Sequence, residues 1–186
     1  MRSSAALALI VCVLVGTSAQ GQEPKRWIDY RNDKWQFCAA YPQDWDAQEL
    51  FFGDVLRATA KGSEIGGASV TLGAFSNHHG EGAGPVKPLD EVAEDAEDYL
   101  LDTMVKDLRS RNEHLQVAGS DALVTRREYV KDRARFISKE VRVRRADGAV
   151  IELVLRATDD QFVKFEPSFD AMVQQQFKPS CTKVAN

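Results

Sequence analysis

Residues 134–157 read ARFISKEVRVRRADGAVIELVLRA, and the alternation inside this stretch decides the fold class. Val141, Val143, Ile151 and Leu153 fall on one parity, while Glu140, Arg142, Arg144, Glu152 and Arg156 fall on the other. A period of two is that of a strand with one face buried. The runs 134–145 and 149–157 are separated by Ala146-Asp147-Gly148, which reads as a three-residue hairpin loop with Gly148 in the left-handed conformation. That loop sets Val143 opposite Ile151, Val141 opposite Leu153 and Arg142 opposite Glu152. A two-residue loop would instead set Arg142 against Leu153, so the three-residue loop is preferred.

Working upstream, 114–118 and 122–130 read as two more strands, separated by Gly119-Ser120-Asp121 and by Lys131-Asp132-Arg133, and together they predict an antiparallel meander. Near the start, 27–30 and 35–41 read as strands joined by the polar turn 31–34. Trp35, Phe37, Ala39 and Tyr41 then share one face, Gln36, Cys38 and Ala40 the other, and Pro42 ends the strand. Residues 48–52 and 55–60 flank a two-residue turn signal, Gly53-Asp54, and 68–75 forms a further strand. Residues 76–87, with Gly80, Gly82, Gly84 and Pro85, read as a long loop.

A helix follows over 89–108, because Leu89, Val92, Ala96, Tyr99, Leu100, Met104 and Leu108 recur at helical spacing. Thr158-Asp159-Asp160-Gln161 resembles a capping box opening a short turn. Pro167 is expected to begin the last helix, with Phe169, Met172 and Val173 inward and Phe177 just beyond. The expected fold is α+β: one domain over 27–186, with a central twisted antiparallel sheet and helices on both faces.

Residues 1–19 carry Arg2, an apolar run over 5–15 and the small residues Gly16-Thr17-Ser18-Ala19, the pattern of a cleavable secretory signal. The run is too short for a membrane-spanning helix. The reading is therefore a secreted or periplasmic protein cut near Ala19, with a polar leader over 20–26 and no transmembrane segment in the mature chain. Loss of Arg2 takes the net charge from −4 to −5, which argues against bulk nucleic-acid binding. Cys12 leaves with the signal. Cys38 and Cys181 remain, and an oxidising compartment predicts one bridge between them. No CxxC is present, which argues against a thioredoxin-type redox site or a zinc cluster.

Several local motifs, in order, resemble the PsbP and Mog-type family. They are Tyr30 before Trp35-Gln36-Phe37, the corner Tyr41-Pro42-Gln43-Asp44-Trp45, the strand entry from Gly119 to Tyr129, and Phe162 through Phe169-Asp170 to Phe177. The family includes the extrinsic photosystem subunit PsbP and a Ran-binding nuclear import factor. The resemblance implies a central antiparallel sheet sandwiched by helices and a role as an adaptor or assembly factor. It supplies no functional residue that can be carried onto this chain.

The candidate sites divide by chemistry. His78-His79-Gly80-Glu81 has metal-ligand types on a flexible loop but lacks the spacing of a closed site. The glycines around it lack the Lys-Ser/Thr pair of a phosphate loop, and Glu81, Asp90 and Glu91 repel anions. No Gly-x-Ser-x-Gly elbow is present. Trp27, Trp35 and Trp45 offer a stacking platform, but core packing explains them better.

Charge is the sharpest signal. Residues 90–102 carry seven acids and no base, whereas 126–145 carry nine bases and three acids. From this Arg126, Arg142, Arg144 and Arg156 are the candidate partner surface, docking an unknown protein or an anionic envelope component. Glu140 and Glu152 share the strand face with the last three, and that face is either open, covered by the acidic helix, or a docking surface. The expected function is a non-catalytic binding or assembly module of the envelope, without cofactor or metal. An envelope hydrolase is the first rival, to be favoured by shifted carboxylates in a deep pocket, and a carrier of a small apolar ligand is the second.

Overall fold

The computed structural model describes residues 26–50, 55–61, 67–76, 85–103 and 105–181. The expected signal segment, the His78-His79 loop and the Gly53-Asp54 turn lie outside the described residues. The chain runs β1 (Trp27–Asn32), β2 (Phe37–Pro42), β3 (Trp45–Leu50), β4 (Val55–Ala60), β5 (Ser69–Ser76), α1 (Leu89–Asp102), β6 (Lys106–Val117), β7 (Ser120–Lys131), β8 (Ala134–Arg144), β9 (Ala149–Thr158) and α2 (Asp159–Ala171). A π-helical turn, Met172–Gln176, extends α2. Among the described residues no helix is long and apolar enough to cross a membrane.

β1 and β2 form a hairpin of their own, and the other strands form one sheet in the order β3-β4-β5-β9-β8-β7-β6. Two meanders therefore meet where β5 pairs with β9, and every pairing is antiparallel. The β8–β9 register sets Val143 opposite Ile151, Val141 opposite Leu153 and Arg142 opposite Glu152, as the loop argument requires. Gly148 has φ 81°.

One side of the sheet carries the main core. Leu56, Val70, Leu72, Val141, Ile151, Leu153 and Leu155 pack with Phe162, Phe169 and Met172 of the C-terminal segment and with Tyr30, Phe37 and Ala39 of the small hairpin. Burial of each such large apolar side chain stabilises the fold by about 1.5 to 3 kcal/mol. Leu89 and Ala93 of α1 pack in a separate cluster with Leu123 and Val150, which have the opposite parity along β7 and β9. Trp45 is buried, its ring edge-on to Phe165 at 5.4 Å, while Trp27 and Trp35 are partly buried against the core.

Four sequence expectations change. The helix at 89 stops at Asp102, and Leu108 lies in β6, which begins eight residues earlier than expected. Among the described residues of its stripe only Leu89 and Val92 are buried, with Ala93 beside them, and Tyr99 is 70% exposed. Pro167 lies inside α2, which starts at Asp159 directly after β9. Trp35 lies in the turn before β2, its backbone N–H donating to Asn32 Oδ1 at 2.9 Å.

The C-terminal segment returns to β2. Cys38 N–H donates to the Lys178 carbonyl at 3.0 Å, Lys178 N–H donates back at 2.8 Å, and Cys181 N–H donates to the Gln36 carbonyl at 2.8 Å. Cys38 and Cys181 are joined, with S–S 2.09 Å across 143 residues of sequence.

Candidate functional site

The basic strands place their charges on two different sides of the sheet. Arg142 and Glu152 face each other across β8–β9, as do Thr125 and Glu140 across β7–β8. On the same side Arg127 is fully buried and Arg142 is 1% exposed. Such burial is tolerated only where each charge is paired and hydrogen-bonded. Arg127 Nη1 donates to Glu140 Oε2 and Nη2 to the Ala93 carbonyl of α1 at 2.7 Å. Arg142 Nη2 lies 2.5 Å from Glu140 and 2.8 Å from Glu152, and Ser138 Oγ donates to Glu140 Oε1 at 3.1 Å.

The two carboxyls respond in opposite senses. Burial acts to raise Glu140, but the guanidiniums of Arg142 and Arg127 outweigh it and hold the carboxyl below the ordinary range. Burial, aided by the charge of Glu140, pushes Glu152 above that range in spite of Arg142.

Of the four arginines singled out in the sequence, Arg142 is inside this network and does not form a surface. The acidic helix covers it, because burying Leu89 and Ala93 against Leu123 and Val150 seats α1 over this part of the sheet. Arg144 has the same parity and donates to the Lys87 carbonyl at 3.2 Å. Arg156 has it too, and stacks over Phe136 at 4.9 Å and Tyr129 at 5.6 Å. Arg126, which pairs with Lys139, faces the other side of the sheet, lies 4.8 Å from the Phe162 ring centre, and reaches Glu166 at 3.5 Å. The four residues therefore do not make one patch. Arg127 was not singled out in the sequence, since a charge at an alternate strand position reads as solvent-facing until a helix is known to cover it.

A cavity of about 390 Å³ lies between α1 and this side of the sheet, lined by Lys87, Asp95, Arg142 and Glu152 together with Phe75 and Val92. Four charged groups make it a poor chamber for an apolar ligand.

The other side of the sheet holds a different cleft, of about 370 Å³, where β6 and β7 extend beside α2. It is lined by Leu115, Val124 and Val141 from the sheet, by Val173 of the π-helical turn, and by the Lys139–Asp170 pair. Lys139 Nζ lies 2.7 Å from Asp170 and 2.9 Å from Glu166; burial would lower its pKa, but the two carboxylates hold it above the ordinary lysine value. Leu115 and Val124 are only half-buried. Beyond the cleft, Arg111, Arg126 and Lys139 stand directly opposite one another across β6, β7 and β8. Like charges in that position repel unless something neutralises them. Glu166 and Asp170 serve Lys139 and Arg126, whereas Arg109 and Arg111 are exposed and have no salt-bridge partner among the described residues. This half-apolar, half-cationic shelf was hidden in the sequence, because β6 is an edge strand whose exposed charges mask its alternation.

No protein-family model matches the chain, and no curated protein matches it. Solved structures do. The Ran-binding protein Mog1p of Saccharomyces cerevisiae aligns at TM-score 0.59 and 7% identity, over 87% of this chain and 99% of that one. Cyanobacterial PsbP (CyanoP) from Synechocystis aligns at 0.56 and 12%, over 89% and 98%. LpqN of Mycobacterium tuberculosis, described as involved in cell envelope biogenesis, aligns at 0.55 and 14%, over 82% and 90%. At these identities the likeness concerns architecture alone, and it agrees with the seven-stranded antiparallel sheet, its small companion hairpin and its two helices. The chain has the PsbP/Mog-type fold.

Proposed function

We propose that the protein is an exported, non-catalytic binding module that docks a protein partner beside α2. The observation that carries this reading is the cleft at Leu115, Val124 and Val173, where Leu115 and Val124 stay half-buried at the margin of the core. A groove of that kind, with polar groups at its rim, suits a macromolecular contact. The likeness to the Ran-binding protein Mog1p agrees with a module that acts by binding, and the likeness to LpqN, described as involved in cell envelope biogenesis, agrees with an envelope setting. Export is supported by the apolar leader over 5–15 and by the Cys38–Cys181 bridge. We further read the architecture as a sandwich with α1 and α2 on opposite faces, since Leu123 and Val150 have the opposite parity to Ala122 and Ile151.

A photo-crosslinking residue placed at Leu115 or Val124 of the full chain, in the cells that export it, tests the docking site. A discrete protein adduct from both positions is expected, with none from Arg57, whose parity puts it on the other side of the sheet. Adducts absent from both positions, or equal from Arg57, overturn the reading.

A hydrolase is a second reading because Glu152, raised in pKa, lines the 390 Å³ cavity. Its Arg142 partner at 2.8 Å and its place in a buried ion network favour a structural role instead. Hydrolase activity abolished by Glu152→Gln with unchanged folding would reverse that preference.

A further inference from the structure

Resting on the reading of the chain as a binding module, we infer that the shelf formed by β6 and β7 receives an acidic amphipathic helix of the partner. Its apolar anchor would lie over Leu115 and Val124, and its carboxylates over Arg111 and Arg109.

Dimensions favour a helix. α2 packs over β8 and β9 and reaches β7 at Arg126 through Phe162 and Glu166, while beside it Leu115 and Val124 stay half-buried and Arg111 and Arg109 exposed. Two strands are about 10 Å wide, which is the width of one α-helix with its side chains and the usual spacing between packed helices. The slot therefore admits one helix next to α2.

Charge sets the sign. Along β6 the side chains on this side run from Leu115 through Glu113 to Arg111 and Arg109, apolar at one end and cationic at the other. Glu113 is the single exposed acid in that run, and Glu128, which stands opposite Arg109 across β6–β7, is shared by Arg135 at 2.9 Å and Arg126 at 3.9 Å. A carboxylate brought over Arg111 relieves the repulsion within the Arg111–Arg126–Lys139 row, where Glu166 and Asp170 of α2 reach Lys139 and Arg126 but have no salt bridge to Arg111.

Spacing makes the inference specific. Leu115 and Arg111 are separated by about 13 Å along the strand, and Leu115 and Arg109 by about 20 Å. In a helix lying along the strand those lengths correspond to about eight and about fourteen residues, separations that also keep the anchor and the carboxylates on the face turned to the sheet. The partner helix should carry its apolar anchor and its carboxylates at those separations.

The test uses a phage library of helical peptides, randomised on one face and panned against the full-length disulfide-bonded protein. Selected peptides are expected to pair an apolar anchor with Asp or Glu about eight or fourteen residues away, on the same face. Their Kd should weaken at least tenfold in Arg109→Glu/Arg111→Glu, whose positions are exposed, and in Leu115→Asp. Thermal melts of each variant separate lost binding from lost folding. The inference is overturned if no peptide is selected, if selectants lack the acids, or if folded Arg109→Glu/Arg111→Glu binds them unchanged. It is also overturned if the protein self-associates through Leu115, since a second copy would then be the occupant. A protein adduct from the Leu115 crosslinker combined with acid-free selectants would sink the acidic helix and leave the binding module standing, whereas no adduct at all would sink the module itself.

Discussion

Arg142 lies directly opposite Glu152 across β8–β9 and holds its carboxylate at 2.8 Å, while the same guanidinium reaches Glu140 at 2.5 Å. Glu140 in turn accepts from Arg127, so one carboxylate neutralises two guanidiniums that have almost no contact with water. Removing it should be far more damaging than its single charge suggests. Glu140→Gln leaves Arg127 with only the Glu97 carboxylate at 4.0 Å and Arg142 with Glu152 alone, and is expected to cost about 3 to 5 kcal/mol. Replacing Arg127, Glu140, Arg142 and Glu152 together by Met, Leu, Met and Gln should be close to neutral, because no charge is then left stranded. Urea denaturation of the two variants checks the contrast, and equal destabilisation would mean that packing, not charge, governs this site.

Glu140 and Glu152 should shape the pH dependence of stability in opposite directions. The folded-state pKa of Glu140 is depressed, so its contribution is complete above the unfolded value of about 4.3 and is lost as pH falls through the folded value. Glu152 is raised, so the native state binds its proton more tightly, and stability declines as pH climbs from about 4.3 through the folded value. Urea midpoints measured from pH 3 to 8 should show Glu152→Gln without the decline on the alkaline side of that window. Glu140→Gln should lack the fall on the acid side. A Glu152→Gln profile parallel to the parent would contradict the assignment.

The Cys38–Cys181 bridge closes a loop with a sequence separation of 143 and pins residues 178–181 along β2. Its removal in Cys38→Ser/Cys181→Ser is expected to lower stability by about 3 to 5 kcal/mol, an effect that loop entropy places mainly in the unfolded chain. Hydrogen exchange at the amides of Cys38, Lys178 and Cys181 should quicken in the variant while β7 and β8 stay protected. Unchanged melting on reduction would show that the tail is held by its hydrogen bonds alone.

The sheet was more legible than the site, and particular residues show why. In β9 every second residue from Ala149 to Ala157 is apolar and buried, and Ile137, Val141 and Val143 carry the same period in β8, so the period, the loop and the Arg142–Glu152 pairing could be read together. In β6 both sides are nearly all exposed, no period survives, and Leu108 at helical distance from Leu100 drew the helix six residues too far. Pro167 reads locally as a helix start, but the burial of Phe162 and Phe169 holds one helix through it. The site is less visible still. Whether Arg142 or Arg111 meets water depends on where α1 and α2 pack, and no residue near either arginine encodes that placement.

The hairpin turns offer a prediction of their own. Asp132 and Arg133 have φ of 50° and 67°, and Lys131 pairs with Ala134, so a two-residue turn with both centres left-handed joins β7 to β8. Arginine is poorly suited to that conformation, and Arg133→Gly creates the favoured Asp-Gly pair, with an expected gain of about 1 kcal/mol. Ala118 and Gly119, at φ 48° and 78°, form the equivalent turn between β6 and β7. A Cβ at Gly119 would meet nothing within 4 Å, so Gly119→Ala isolates the backbone cost, again about 1 kcal/mol, this time as a loss. Equal and opposite shifts in urea midpoint are the expected outcome. A destabilised Arg133→Gly would show that the Arg133 side chain contributes more than its backbone strain costs.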